Sequence, residues 1–129
     1  MDELLQEKHR GDPWKVFVSC ILLNQTGRVL VDRVIDELLH EYPVPEFLAN
    51  ARLRDVRDIV ESNGLGWIKA ARLIHMSDDY LRWDGQAGTV ADIHGVGPYA
   101  LDSYNIFCRG LREVASGDKE LLAYLGRES

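Results

Sequence analysis

Two stretches of the chain carry residues whose types and spacing could do chemistry. In "ADIHGVGPYALDSY", residues 91–104, Gly95-Val96-Gly97 makes a tight turn between two apolar segments. Glycines adopt positive φ and let the backbone come close to a ligand. The helix that follows would begin with exposed amide donors and a positive dipole end, and a single phosphate fits that geometry. A plain helical hairpin with a glycine cap fits the same residues. A GxxxxGK[ST] phosphate loop is absent, and the segment before Gly95 lacks the length and pattern of the strand that a dinucleotide GxGxxG follows. The second stretch is "VASGDKELLAYL", where Asp118 stands just before a short helix whose dipole favours its ionised form. Read bare, Asp118 is an N-cap; an ionised, fixed carboxylate can also stabilise a developing cation, and the two roles are compatible.

Other reactive types are sparse. Cys20 and Cys108, the two cysteines, sit in the apolar runs "FVSCILL" and "NIFCRG", where a free buried thiol is the ordinary reading. That points weakly to a reducing compartment. Two cysteines exclude a four-cysteine iron–sulfur or zinc site. His9, His40, His75 and His94 show no metal spacing and read as surface or packing residues. The net charge of −6 argues mildly against a nucleic-acid partner, since phosphate binders usually carry a basic balance. A binding face can still be locally basic, and Arg28, Arg33, Lys69, Arg72 and Arg109 either form one or are scattered.

These residues need elements to hold them. At 129 residues and 46% hydrophobic composition, the chain suits one domain with a real core, taken as residues 1–129. No run reaches the roughly 18 apolar residues of a membrane span, and the charged start "MDELLQEKHRGDPW" is unlike a secretory signal. Apolar residues recur at three- and four-residue spacing almost throughout. "PWKVFVSCILLNQ" predicts a helix opened by Pro13 and ending near Asn24, with Trp14, Phe17, Val18, Ile21 and Leu22 inward. "RVLVDRVIDELLHEY" predicts another, with Leu30, Val34, Leu38 and Leu39 on one side and "YPVP" as its stop. "FLANARLRDVRDIVESNG" reads as a short helix and a second one, capped by a left-handed Asn63-Gly64. "GWIKAARLIHMSDDYLRW" follows, with Ile68, Ala71, Leu73 and Ile74 mainly inward. "DGQAGT" is a loop, "TVADIH" and "PYALDSYNIFCRG" flank the glycines, and "GDKELLAYLG" is a short closing helix. No segment alternates with period two. The expected fold is all-α: a compact multi-helix domain with a helix–hairpin–helix motif.

With these elements in order, the motifs carry a resemblance. "IHGVGPYALDSYNIF" resembles the helix–hairpin–helix element of the DNA glycosylase superfamily that includes endonuclease III and the adenine glycosylase. Its L-P-G-V-G or L-H-G-I-G turn is followed about twenty residues later by an essential aspartate, a place that Asp118 matches. "WKVFVSCILLNQT" resembles the family's W-x-x-L-x-x-x-x-L-x-x-Q-T helix, and "ESNGLGWIKAARLIHMS" its G-L-x-x-x-K-A-x-x-I segment. D-S-Y-x-I-F-C in "ALDSYNIFC" most resembles the methyl-CpG-binding-domain branch, the thymine/uracil mismatch enzymes.

The resemblance implies specific roles. Asp118 would stabilise the oxocarbenium character that builds on the deoxyribose as the N-glycosidic bond breaks. Bifunctional relatives carry a Schiff-base lysine two residues after the second glycine; Tyr99 stands there, which implies a monofunctional enzyme with Tyr99 lining the base pocket. Gln25 would plug the space of the extruded base, and Leu65 would wedge against the opposite strand, with Thr26 and Lys69 on the DNA side. The mismatch-thymine branch typically has arginine where Gln25 stands. It also has a lysine two residues after its aspartate, where this chain has Glu120, with Lys119 one place earlier. Amides near Gly95 and Gly97 would bind a phosphate, and the backbone carbonyls of Ala91, Ile93 and Val96 would hold a Na+ or K+ ion. No further cofactor and no iron–sulfur cluster is implied. The implied partner is double-stranded DNA with a mismatched or damaged base, met by an intracellular monomer; the chain's end soon after Asp118 implies an abbreviated C-terminal helical half. Two rivals stay open: a hairpin module that grips DNA without chemistry, and an enzyme on modified thymine in a viral DNA-modification system.

Overall fold

The computed structural model describes residues 3–128. Eight α-helices follow one another: α1 Leu5–Lys8, α2 Pro13–Leu23, α3 Arg28–Glu41, α4 Pro45–Ala49, α5 Leu53–Val60, α6 Gly66–Arg82, α7 Pro98–Arg109 and α8 Lys119–Arg127. Short 3-10 turns occupy Glu61–Asn63 and Ala87–Asp92. Among the described residues there is no strand, as the period-3.6 patterning requires.

The centre of the fold is α2. Asp12 caps it by accepting the Lys15 amide at 3.1 Å, and Pro13 takes the first turn. Every residue from Val16 to Leu22 is buried, as befits a helix apolar on all sides. Helices α1, α3, α6 and α7 pack around it. Phe17 meets Tyr104 of α7 at 5.9 Å and Tyr80 of α6 at 6.4 Å between ring centroids. Each such fully buried large side chain contributes roughly 1.5–3 kcal/mol.

Two helices turn a different face inward than their spacing predicts. In α3 the buried stripe is Val31, Val34, Ile35 and Leu38, while Leu30 is 41% exposed. In α6 it is Lys69, Ala70, Leu73, Met76 and Ser77, with Ile68 and Ala71 outward. The α6 face includes two polar residues that find partners inside. Ser77 Oγ accepts the Trp14 indole N–H at 2.9 Å and donates to the Leu73 carbonyl at 2.8 Å. The left-handed cap also moves. Helix α5 ends at Val60, Gly64 has φ 84° with an extended ψ of 152°, and the residue in the left-handed helical region is Leu65. "TVADIH" forms no α-helix; its first part lies in the 3-10 turn.

Candidate active site

The hairpin turn is built by Ile93–Gly97. The Ile93 carbonyl accepts the Val96 amide at 3.1 Å, and Val96 is buried. Gly95 has φ 86°, and a Cβ there would lie 3.3 Å from Ile21 Cδ1. Both facts demand glycine. Gly97 differs: its φ is −90° and nothing lies within 4 Å of a Cβ placed on it. Helix α7 starts with Pro98, and its first helical bond is Leu101 N–H to the Gly97 carbonyl at 2.9 Å. The amides before Leu101 have no helical acceptor and face outward with the positive end of the dipole. A cleft of about 640 Å³ opens over this turn, lined by residues 91–100 together with Ile21 and Arg72.

A second cleft, of about 700 Å³, lies beside it. Its lining brings together Gln25, Thr26, Tyr99 and Asp118, residues far apart in the chain, with Gln6 at its inner wall. Cys20, Asn24 and Tyr99 line both clefts and form their common wall. Asp118 is the N-cap of α8, where its Oδ1 accepts the Leu121 amide at 3.0 Å. Among the described residues no donor to Oδ2 is seen. The loop that delivers Asp118 is anchored by Asp102 of α7. The buried Asp102 carboxylate accepts the Ala115 amide at 3.1 Å and the Ser116 amide at 2.8 Å. Burial opposes its charge, but the bonds from Ser116 and Ala115 outweigh that, and its carboxyl is held below the ordinary 3.8.

Tyr99 sits in the first turn of α7 with its hydroxyl accepting the Gln6 amide at 2.6 Å. Gln6 is 1% exposed and also donates to Ser103 Oγ at 3.3 Å. Burial first, and Cys20 beside it second, push the Tyr99 phenol upward, so it stays protonated at neutral pH. Burial likewise pushes the Cys20 thiol up to about 12, which removes it as a nucleophile. Among the described residues no lysine lines the second cleft. Lys119 is exposed at the start of α8, whereas its neighbour Glu120 lines the cleft.

Sequence reasoning missed Gln6 and Asp102. Gln6 lies on a single-turn helix with no periodic signal, and Asp102 inside "ALDSY" reads as a solvated helix position. It also misplaced Lys69, which is 0% exposed and cannot be an exposed DNA contact. Its ammonium donates to the Leu22 carbonyl and to Thr26 Oγ1. Of the basic residues considered as one face, Arg28 pairs with Asp32 at 2.7 Å, Arg109 donates to Asn105 at 3.0 Å, and Arg72 lines the hairpin cleft. They are dispersed. Gln25 and Leu65 share a distinction: they are the two non-glycine residues with positive φ among the described residues, at 56° and 54°. Leu65 is 42% exposed, and Gln25 is exposed at the rim of the second cleft. Strain of this kind clusters at functional positions.

The segment that carries the hairpin turn has a family match. Residues 18–109 fit the model of the HhH-GPD superfamily base excision DNA repair protein. The chain belongs to this family. Within the HhH-GPD superfamily it is similar to a methyl-CpG-binding domain protein 4-like protein of Arabidopsis thaliana, 32% identical over 123 residues, which are 94% of this chain and 27% of that protein. It is similar to a thymine/uracil-DNA glycosylase of Pyrobaculum aerophilum, 34% identical over 70% of this chain and 41% of the relative. The fold matches a thermostable thymine-DNA glycosylase with a TM-score of 0.77 at 19% identity, over 86% of this chain and 53% of that one. It also matches endonuclease III in a trapped covalent intermediate with DNA, with a TM-score of 0.71 at 20% identity, over 83% of this chain and 52% of that one. The chain thus spans about a quarter to a half of the length of these relatives. The architecture is all-α, as the periodicity predicts, and the family is the one that the motifs resemble. Among the described residues no helix is long and apolar enough to cross a membrane, and no three or more His, Cys, Asp or Glu side chains gather as a metal site.

Proposed function

We propose that this chain is a monofunctional DNA N-glycosylase, which extrudes a mismatched or damaged pyrimidine, thymine or uracil opposite guanine, and releases it. The observation that carries this reading is the common wall of the two clefts: Tyr99 lines both the cleft over the hairpin turn and the cleft that holds Asp118. A phosphate held by the amides near Gly95 and Gly97 sets its nucleotide's sugar beside the Asp118 carboxylate and its base against Tyr99. The C1′–N bond then breaks with its electron pair leaving on the base. Asp118 stabilises the cation on the sugar, water adds its oxygen to C1′ and keeps one proton there as the new hydroxyl, and its other proton goes, through solvent, to the base that left with the electron pair. The products are free base and an abasic site. No lysine in the cleft is placed to form a Schiff base, which supports base release without strand cleavage. Gln25 fills the vacated stack, and Leu65 presses on the opposite strand. The carbonyls of Ala91, Ile93 and Val96 would hold a monovalent cation, which would add positive charge for the phosphate; the Ile93 carbonyl already accepts one amide, from Val96. The partner is duplex DNA, the site of action is wherever the cell keeps it, and a monomer suffices.

Asp118→Asn tests the assignment. Asparagine caps a helix as well as aspartate does, so the fold is spared, and duplex affinity is retained. Base release from G·U and G·T duplexes should fall by at least about a hundredfold. Release at the wild-type rate rules out Asp118 as the catalytic group. If wild-type protein binds these duplexes and releases no base from any of them, the hairpin is a binding module.

A further inference from the structure

The loop joining α2 to α3 holds Gln25 in a left-handed conformation that a glutamine disfavours by roughly 1–2 kcal/mol. Its own backbone supplies two long bonds, Asn24 N–H to the Ile21 carbonyl at 3.3 Å and Thr26 N–H to the Leu23 carbonyl at 3.2 Å. The stronger restraint comes from another helix. Lys69 Nζ, buried in the first turns of α6, donates to the Leu22 carbonyl at 2.8 Å and to Thr26 Oγ1 at 2.7 Å. These two acceptors lie on either side of Gln25 in the chain. Thr26 Oγ1 passes a further bond to the Asn24 carbonyl at 3.2 Å. The Lys69 amide meanwhile bonds the Leu65 carbonyl at 2.8 Å. One residue is therefore bonded to the segments that present both strained, exposed side chains.

We infer that Lys69 is a positioning residue, which clamps the Gln25 loop and ties it to Leu65 so that plug and wedge meet the duplex as one rigid pair. Its effect on DNA rests on the reading of Gln25 and Leu65 given above; the clamp itself does not. Lysine suits the place because its ammonium brings several donors on a long stem, and it sits where the last carbonyls of α2 favour a cation. An apolar side chain of equal length would fill the space and satisfy neither acceptor. Burial, reinforced by Arg72 on the same helix, lowers the ammonium to about 8. From the end of α2, the groups that face it are the Leu22 carbonyl and the Thr26 hydroxyl.

The test uses the full chain as wild type, Lys69→Met and Lys69→Arg. In the free protein, hydrogen exchange at Asn24 and Thr26, the loop amides that are bonded, should quicken on the order of tenfold in Lys69→Met, while Phe17 and Val18 amides in the middle of α2 keep their protection. In single-turnover base release from a G·U duplex, Lys69→Met should lose on the order of tenfold to a hundredfold in rate with little change in duplex affinity, and Lys69→Arg should recover most of it. Unchanged loop exchange in Lys69→Met overturns the clamp. A loosened loop with an unchanged rate overturns its coupling to DNA. If the wild type itself releases no base, the proposed function fails while the exchange result still decides the clamp. Should Lys69→Met not fold, the pH profile decides: the wild-type rate should fall as pH rises through about 8, and that of Lys69→Arg should not. A matching fall in both overturns the proposal.

Discussion

Gln25 and Leu65 adopt φ values of 56° and 54°, a conformation that glycine would adopt without strain. Each residue spends roughly 1–2 kcal/mol on it, and glycine would return that at an entropic cost of about 0.5–1 kcal/mol. Neither side chain is buried, so little packing would be lost. Gln25→Gly and Leu65→Gly should therefore melt at or slightly above the wild-type temperature while base release drops by about tenfold or more. Thermal denaturation beside a single-turnover assay checks both. A fall in melting temperature of more than about 4 °C would mean that these side chains hold the fold rather than the DNA. At this scale the sequence was legible where a residue's type named its local structure, as with Asp118 as the N-cap of α8 and Gly95 in its positive-φ turn. It was not legible where the environment reverses the type. Lys69 reads as a surface cation but is 0% exposed, because its partners come from a loop more than forty residues away.

At the scale of elements, the site depends on how α7 holds the loop that leads into α8. Asp102 receives the Ala115 and Ser116 amides and so fixes the approach to Asp118. Asp102→Asn puts an amide group where one acceptor oxygen stood, and should cost about 1–3 kcal/mol at neutral pH. The sign of the pH dependence follows from the lowered carboxyl. Asp102 titrates below its unfolded value of 3.8, so its contribution is complete above that value and is lost as pH falls through the depressed folded one. Urea unfolding at a series of pH values should show the gap between wild type and Asp102→Asn closing below about pH 4. A gap that stays constant into the acid range would show that the charge is not what anchors the loop. Helix existence and order were readable from periodicity, and α2 was readable almost to the residue through Pro13 and its apolar run. The inward faces of α3 and α6 were less so. The α6 stripe shifts because Ser77 and Lys69 are buried by partners on α2 and its following loop, a tertiary effect that local spacing does not contain.

At the scale of the whole molecule, the net charge of −6 constrains how DNA can be held. Lys69 is buried, Arg28 is paired with Asp32, and the donors that face the hairpin cleft are chiefly backbone amides, with Arg72 at its edge. Amides position a phosphate through short bonds and a helix dipole, and they displace fewer condensed counterions than a row of lysines and arginines would. The apparent affinity for duplex should therefore fall only gently with salt. Plotted as log K against log salt, the slope should be shallower than about −3.6, corresponding to roughly four neutralised phosphates. Arg72→Ala should flatten it by about one phosphate, with an affinity loss that is alike for matched and mismatched duplexes. Fluorescence anisotropy across a salt series measures both. A slope steeper than about −6 would show that the scattered cations converge on DNA after all, and the hairpin amides would then be a secondary grip rather than the main one.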